Sequence, residues 1–457
     1  MIKWFLIVQF FLCAEKLTAV QLVSDESIAL QKKLTSKFQL ENGIPVTVRH
    51  EMSSDIIHIS VAFDWGRKDF PKGKQILEQA LWGAMVLGAK GYTKEKIYEI
   101  VEKYGIALSC SGGVEMSWCT LETINEYWDT ALDLLAAVIK YPTFDPKEVA
   151  LQRARLEADL KSTFSNPEQY VNDIINRVFY EKNHPFRANY DESLDDLKTL
   201  TVADMNAYHK KIVTADRMHF IVVSSLSDAI LKRDLSKRFK SIKRRNKSDT
   251  TEHDKVSIPQ FNKDRAYSFE HRDIPTAYMR IKFNTPSVFD NNRIATLLLF
   301  EVFEKELDEE IRTKNSLSYS IYAQTLQYSV GVGFIGVSTS KPKETLQSIQ
   351  KIIKQLKERD YTPDELEEYK HLFATGYYTN QETHGSLAGG MLGYIHYFND
   401  VERFYDFPKE LEKVKPEDVK KCARDILKNF RVGILYSKDK FKDEWATSFI
   451  NETSESH

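Results

Sequence analysis

Gln75, Glu78 and Gln79 stand at a spacing that chemistry could use. Positions 75 and 79 are four residues apart, so on a helix they share one face. Imidazoles at both positions would reach one zinc ion at about 2.0–2.1 Å. A glutamate beside the second ligand would then deprotonate a metal-bound water. A carboxylate from a later helix would complete three protein ligands and leave one position open. Here both nitrogen positions hold amides. A glutamine oxygen is neutral, hard and weakly binding, whereas zinc favours imidazole nitrogen or thiolate. None of the eleven histidines lies three or four residues from another, so no second pair takes over. Taken alone, Gln75 and Gln79 read as solvent-facing helix residues.

The elements that would position these groups follow from pattern. At 457 residues the chain is too long for one core, and two or more domains are expected. With 42% hydrophobic and 28% charged residues it has the composition of a soluble globular protein. A net charge of −2 gives no global attraction to nucleic acid. The basic run "KRFKSIKRRNK" from Lys237 is the exception, and it reads as a solvated linker face rather than a binding patch. The polar stretch that follows, from Arg244, has no periodicity and reads as a linker.

The two halves resemble each other. Pro146 and Pro363 each follow a capping residue, Asp145 or Thr362, and each predicts the first turn of a helix. The offset of 217 that superposes them also puts Glu148 on Glu365, Val178 on Ile395 and Tyr180 on Tyr397. Upstream of each lies an amphipathic helix, marked by Leu132, Leu135 and Ile139 in one half and by Ile349, Ile352, Ile353 and Leu356 in the other. Before those come alternating strands, "GIALSCSGG" from Gly105 and "SLSYSIYAQ" from Ser316. "PVTVRHEMSSDIIHISVAF" from Pro45 reads as a strand pair. The implied fold class is α+β: two homologous sandwich domains, each a mostly antiparallel sheet with helices packed on one face. The expected boundaries are a signal peptide at 1–19, a first domain at 24–243, a linker at 244–262 and a second domain at 263–449.

The N-terminus has one lysine, a mostly apolar run from Trp4 to Ala14, then small residues at Thr18 and Ala19. That is the layout of a cleaved secretory signal, and the run is too short for a stable membrane span. Export is expected, to a bacterial periplasm, with an uncleaved anchor as the alternative. Without Cys13, three cysteines remain, and none has metal-type spacing. Cys110 and Cys119 flank a strand turn and could be bridged, although buried free thiols are the expectation.

With the repeat, the degenerate motif resembles the pitrilysin-like (M16) metallopeptidases, the family of mitochondrial processing peptidase, insulin-degrading enzyme and paired bacterial zinc proteases. Their inverted motif is His-x-x-Glu-His on a helix running into a Gly-containing turn, as in "QILEQALWGAMVLGAKGY". Trp65-Gly66 is similar to the strand end that precedes it, and "HPF" at His184 to the family's His-Pro loop. The resemblance implies that Glu78 keeps the general-base position while both ligand histidines are lost. For the third ligand, spacing from Gln79 points to Glu157, and alignment on Asn166-Pro167-Glu168 points to Asp159, which is preferred. The implied state is zinc-less.

"EEIRTKNSLSYSIYAQ" resembles the segment in which active members carry an Arg and a Tyr seven residues apart. Arg312, Lys314, Leu317 and Tyr319 match it, and Ser316 replaces the usual glycine of the turn. A guanidinium and a phenol can both donate to a substrate carbonyl as it becomes an oxyanion. The strand bearing Ser109, Cys110 and Ser111 resembles the family's substrate edge, where an extended peptide adds by backbone pairing. Small Ser109, Ser111, Gly112 and Gly113 would let that peptide approach. The resemblance therefore implies a non-zinc subunit of a heterodimeric peptidase. It would bind no cofactor itself, and zinc is expected in an exported, zinc-bearing homologous partner. The alternative is a non-catalytic peptide-binding or assembly scaffold.

Overall fold

Proline at a first helical turn costs nothing, because that N–H has no intrahelical partner. Asp145 accordingly accepts from the backbone of Lys147 and Glu148, and Thr362 from that of Glu365. The helices they start run Pro146–Ser165 and Pro363–Thr379. The next two begin at Pro167 and His384, again 217 residues apart.

The computed structural model describes residues 22–188, 190–245 and 266–454. The expected signal peptide and most of the expected linker lie outside the described residues. The first half contains strands β1 (Thr35–Gln39), β2 (Pro45–His50), β3 (Ile56–Phe63), β4 (Ala107–Gly112), β5 (Ser117–Ile124) and β6 (Met218–Ser224). Its helices are α1 (Asp25–Lys33), α2 (Leu77–Met85), α3 (Lys94–Tyr104), α4 (Trp128–Lys140), α5 (Pro146–Ser165), α6 (Pro167–Phe179), α7 (Tyr190–Thr199), α8 (Val202–Ile212) and α9 (Asp228–Phe239). The second half contains β7 (Tyr267–His271), β8 (Ala277–Thr285), β9 (Ser320–Gln327), β10 (Gly331–Thr339) and β11 (Arg431–Tyr436). Its helices are α10 (Arg293–Leu307), α11 (Pro342–Glu358), α12 (Pro363–Thr379), α13 (His384–Phe398), α14 (Glu402–Glu412), α15 (Pro416–Ile426) and α16 (Asp443–Ser454).

The sheets run β1-β2-β6-β3-β5-β4 and β7-β11-β8-β10-β9. Pairing is antiparallel except between β2 and β6 and between β7 and β11. The strands expected to pair near Pro45 both form, but β6 lies between them. Its run Phe220–Val223 is fully buried, which suits a central strand covered on both faces. Each sheet closes on a free edge, β4 in one and β9 in the other.

Each half's own helices cover one face of its sheet, as the α+β class implies. The second face is covered by a helix from the other half. Phe220 and Val222 join the core of the first half, whereas Ile221 and Val223 pack on Leu387, Ala388 and Met391 of α13. Reciprocally, α6 lies on β8 and β11, with Ile174 and Tyr170 against Leu435. At Gly433 a Cβ would fall 2.7 Å from the Ile175 backbone nitrogen, so glycine is what lets α6 approach.

The expectation of free thiols is overturned at Cys110 and Cys119, which form a disulfide. The β4–β5 register sets them directly opposite, with Cα atoms 4.0 Å apart. Cys422 is a buried free thiol.

Candidate functional site

The chain enters α2 through a tight turn rather than a capped helix start. Gly73 takes φ +83°, a conformation glycine adopts at no steric cost. Leu77 N–H bonds Lys74 O at 3.0 Å and Glu78 N–H bonds Gln75 O at 3.2 Å. Ile76, before the first helical residue, offers no capping side chain. Gln75 therefore lies in the turn and not on the helix face that its spacing from Gln79 predicts. Tertiary contacts hold the turn instead. The Asp196 carboxylate accepts the Gln75 N–H, and Lys74 pairs with Asp204 of α8 at 2.9 Å.

Gln75, Glu78, Gln79 and Asp159 nevertheless line one cavity of about 590 Å³. On α5, Leu156, Asp159, Leu160 and Thr163 face this cavity at helical spacing. Glu157 lies on the exposed side and pairs with Lys161 at 2.7 Å. Of the two carboxylates considered for the third position, the cavity thus takes Asp159.

Glu78 is the buried member, 3% exposed. Burial pushes its carboxyl up to about 7, against the pull of the nearby Arg67 guanidinium. Gly112, at the end of β4, sits directly against this carboxylate. The glycine makes room for Glu78, a role that small residues in an edge strand do not announce. Asp173 and Asp196 in the same wall are also pushed up by burial. Asp173 is held by Arg177 at 2.7 Å and by the Tyr190 N–H at 2.6 Å.

Two amides and a carboxylate form a donor set ill suited to zinc. Among the described residues, no group of three His, Cys, Asp or Glu side chains could hold a metal ion.

Arg312 and Tyr319 lie elsewhere, since the cavity lining comes from residues 67–196. Arg312 sits on a π-helical segment, Asp308–Lys314, that continues α10. It grips Asp308 through both Nε and Nη2, each at 2.9 Å. The segment closes with Leu317 N–H on Ile311 O at 2.8 Å. Ser316, in the glycine position of the resembled motif, takes φ +47°, so the turn is made with some strain. Tyr319 follows at the start of the edge strand β9 and is 92% exposed. On the other edge strand, β4, Ser109 Oγ is 2.9 Å from Thr120 Oγ1 and Cys110 is bridged. Ser109, Cys110 and Ser111 do not line the cavity.

Two family descriptions match the chain: "Insulinase (Peptidase family M16)" over residues 81–191 and "Peptidase M16 inactive domain" over residues 199–373. An "Uncharacterized zinc protease YmxG" of Bacillus subtilis is 20% identical over 74% of this chain and 82% of its own length. A "Non-peptidase homolog YmxG" of Helicobacter pylori is 21% identical over 69% of this chain and 72% of its own. The crystal structure of a peptidase M16 inactive domain from Pseudomonas fluorescens superposes with a TM-score of 0.78 at 16% identity. It covers 89% of this chain and 99% of that one.

Proposed function

This chain belongs to the insulinase (M16) peptidase family, and from that premise we propose that it is the zinc-less subunit of a heterodimeric M16 metalloendopeptidase. The observation that carries this reading is the exposure of Tyr319, 92%. A ring so open contributes little packing within its own chain, and its hydroxyl stands ready for another molecule. Arg312, one short segment away, is held on a π-helical turn, an irregularity frequent at functional sites.

In this reading an extended peptide pairs with the free edge of β4 at Ser109, Cys110 and Ser111. Zinc and its water belong to the partner. Arg312 and Tyr319 donate to the scissile carbonyl as it becomes an oxyanion. Alone, the chain binds no zinc and cleaves nothing. The partner is a zinc-bearing M16 homologue, exported to the same compartment through a signal peptide like the one expected at 1–19. No helix among the described residues is long and apolar enough to cross a membrane.

The relative named a non-peptidase homolog favours a second reading, a peptide-binding or assembly scaffold without catalytic role. Purification from the native source, with mass identification of bound chains, separates the two. Peptide cleavage that needs both this chain and a zinc-bearing homologue supports the subunit reading. A co-purifying homologue with full activity alone supports the scaffold.

A further inference from the structure

The second half carries a counterpart of the Glu78 cavity. Its volume is about 420 Å³, and helices α10, α12, α13 and α14 line it. The offset of 217 maps Asp159 and Leu160 of the first cavity onto Gly376 and Tyr377 of the second, and Asp173 onto Gly390. Arg187 and Tyr190 map onto Phe404 and Phe407. Each of these residues lines the cavity of its own half. On α10, Leu297 and Glu301 line the second cavity at the same spacing as Gln75 and Gln79 line the first.

The lining differs in chemistry. Glycines replace the two aspartates, and a phenylalanine replaces the arginine. At Gly390 a Cβ would fall 2.7 Å from the Phe404 ring, so glycine lets that ring approach α13. The Tyr377 and Phe407 rings stack with centroids 4.8 Å apart. Phe373 lies 5.6 Å from Phe407, and Tyr394 lies 5.7 Å from Phe404. Among the described residues, Glu301 is the one charged side chain in this lining. It is partly buried and makes no hydrogen bond or ion pair with a described residue. Lys305, one turn further along α10, lies over the Tyr369 ring at 4.8 Å instead. Burial moves the Glu301 carboxyl above its ordinary value.

A plain alternative is a hydrophobic core that ends at the surface. Phe404 and Phe407 are indeed buried. Core closure does not account for Leu372, 53% exposed on the rim, or for a carboxylate that lines an aromatic cavity without a counter-charge. A partly desolvated carboxylate gains from a cation. Ring faces attract the same charge. An ammonium on a short apolar body meets both needs at once. The volume is that of a small-molecule site.

We propose that this second-half cavity binds a small apolar molecule bearing an ammonium group, at a site separate from the Gln75–Asp159 cavity. The test is calorimetry of the full chain with phenethylammonium chloride, with phenethyl alcohol as the uncharged control. Saturable binding of the cation is expected, with the alcohol at least ~10-fold weaker. Glu301→Gln should cost the cation at least ~10-fold and the alcohol little. Gly376→Leu should abolish binding, because a Cβ there meets nothing within 4 Å and the added side chain fills the cavity. Leucine is the better helix former, so this variant should unfold no lower than the parent. Absence of saturable phenethylammonium binding overturns the proposal. So does equal affinity for the alcohol, or binding unchanged in Glu301→Gln. Binding unchanged in Gly376→Leu overturns it as well, by placing the cation elsewhere, such as among the acidic groups around Glu78.

Discussion

Gly112 and Glu78 occupy a space that admits one side chain. A Cβ on Gly112 would fall 2.6 Å from Glu78 Cγ and 2.7 Å from its Cδ. In most strands alanine improves on glycine, because glycine loses more freedom on folding. Here Gly112→Ala is expected to destabilise by about 1–3 kcal/mol, the cost of overpacking. Urea unfolding measures it. In a Glu78→Ala background the same substitution should cost at least ~0.5 kcal/mol less, as expected for coupled neighbours. Equal costs in the two backgrounds would mean that the contact is relieved elsewhere.

Glu78 also predicts a pH dependence. Its folded value of about 7 lies above the ordinary 4.5, so the folded chain holds the proton more tightly. The associated stability is fully present below about pH 4.5 and is lost as pH rises through about 7. Its full size is on the order of 3 kcal/mol. Glu78→Gln should flatten the decline, and its advantage over the parent should grow between pH 5 and pH 8. Denaturant midpoints at those two values decide the matter; parallel declines in both chains count against a buried Glu78.

Tyr319→Phe should leave the isolated chain within about 0.5 kcal/mol of the parent, as for an exposed surface change. With the zinc-bearing partner it should lower kcat about 10²–10³-fold, the usual loss for one oxyanion donor. Unchanged turnover removes Tyr319 from the chemistry. Lost stability would instead mean that the ring is structural.

Much of the fold was readable because its signals are local. Pro146 and Pro363, each behind a side-chain cap, mark helices at one offset, and the offset carries through to α6 and α13. What sequence did not show is which sheet each helix meets. Periodicity reports that Ile174 and Leu387 are buried, not against what. The start of α2 was misplaced because no capping residue announces it and Asp196, distant in sequence, holds the turn. The Cys110–Cys119 bridge depends on strand register, which a turn of unspecified geometry does not fix. The basic run from Lys237 reads correctly as a solvated face, since Lys237, Lys240, Lys243 and Arg244 are exposed. At the candidate site, residue types alone argued against zinc, while the choice between Glu157 and Asp159 needed the orientation of α5.

That orientation makes a graft testable. Gln75→His/Gln79→His should bind zinc weakly, because Gln75 sits on a turn and Asp159 is one methylene shorter than glutamate. Adding Asp159→Glu should tighten binding at least ~10-fold, the smallest step expected from a well-placed ligand shell. A competing chromophoric chelator reports the affinity. Adding Glu157→Gln should change nothing; a loss there would return the third position to Glu157.

The traded helices tie the two halves to each other. Were the polypeptide severed between residues 245 and 266, each fragment would keep a sheet with one bare side and a helix with nowhere to lie. Neither piece would then be soluble by itself, while the two expressed together could restore each other. Reciprocal exchange of an identical segment is how two copies of one small protein form a domain-swapped pair. The arrangement has the geometry of such a pair, held within one polypeptide.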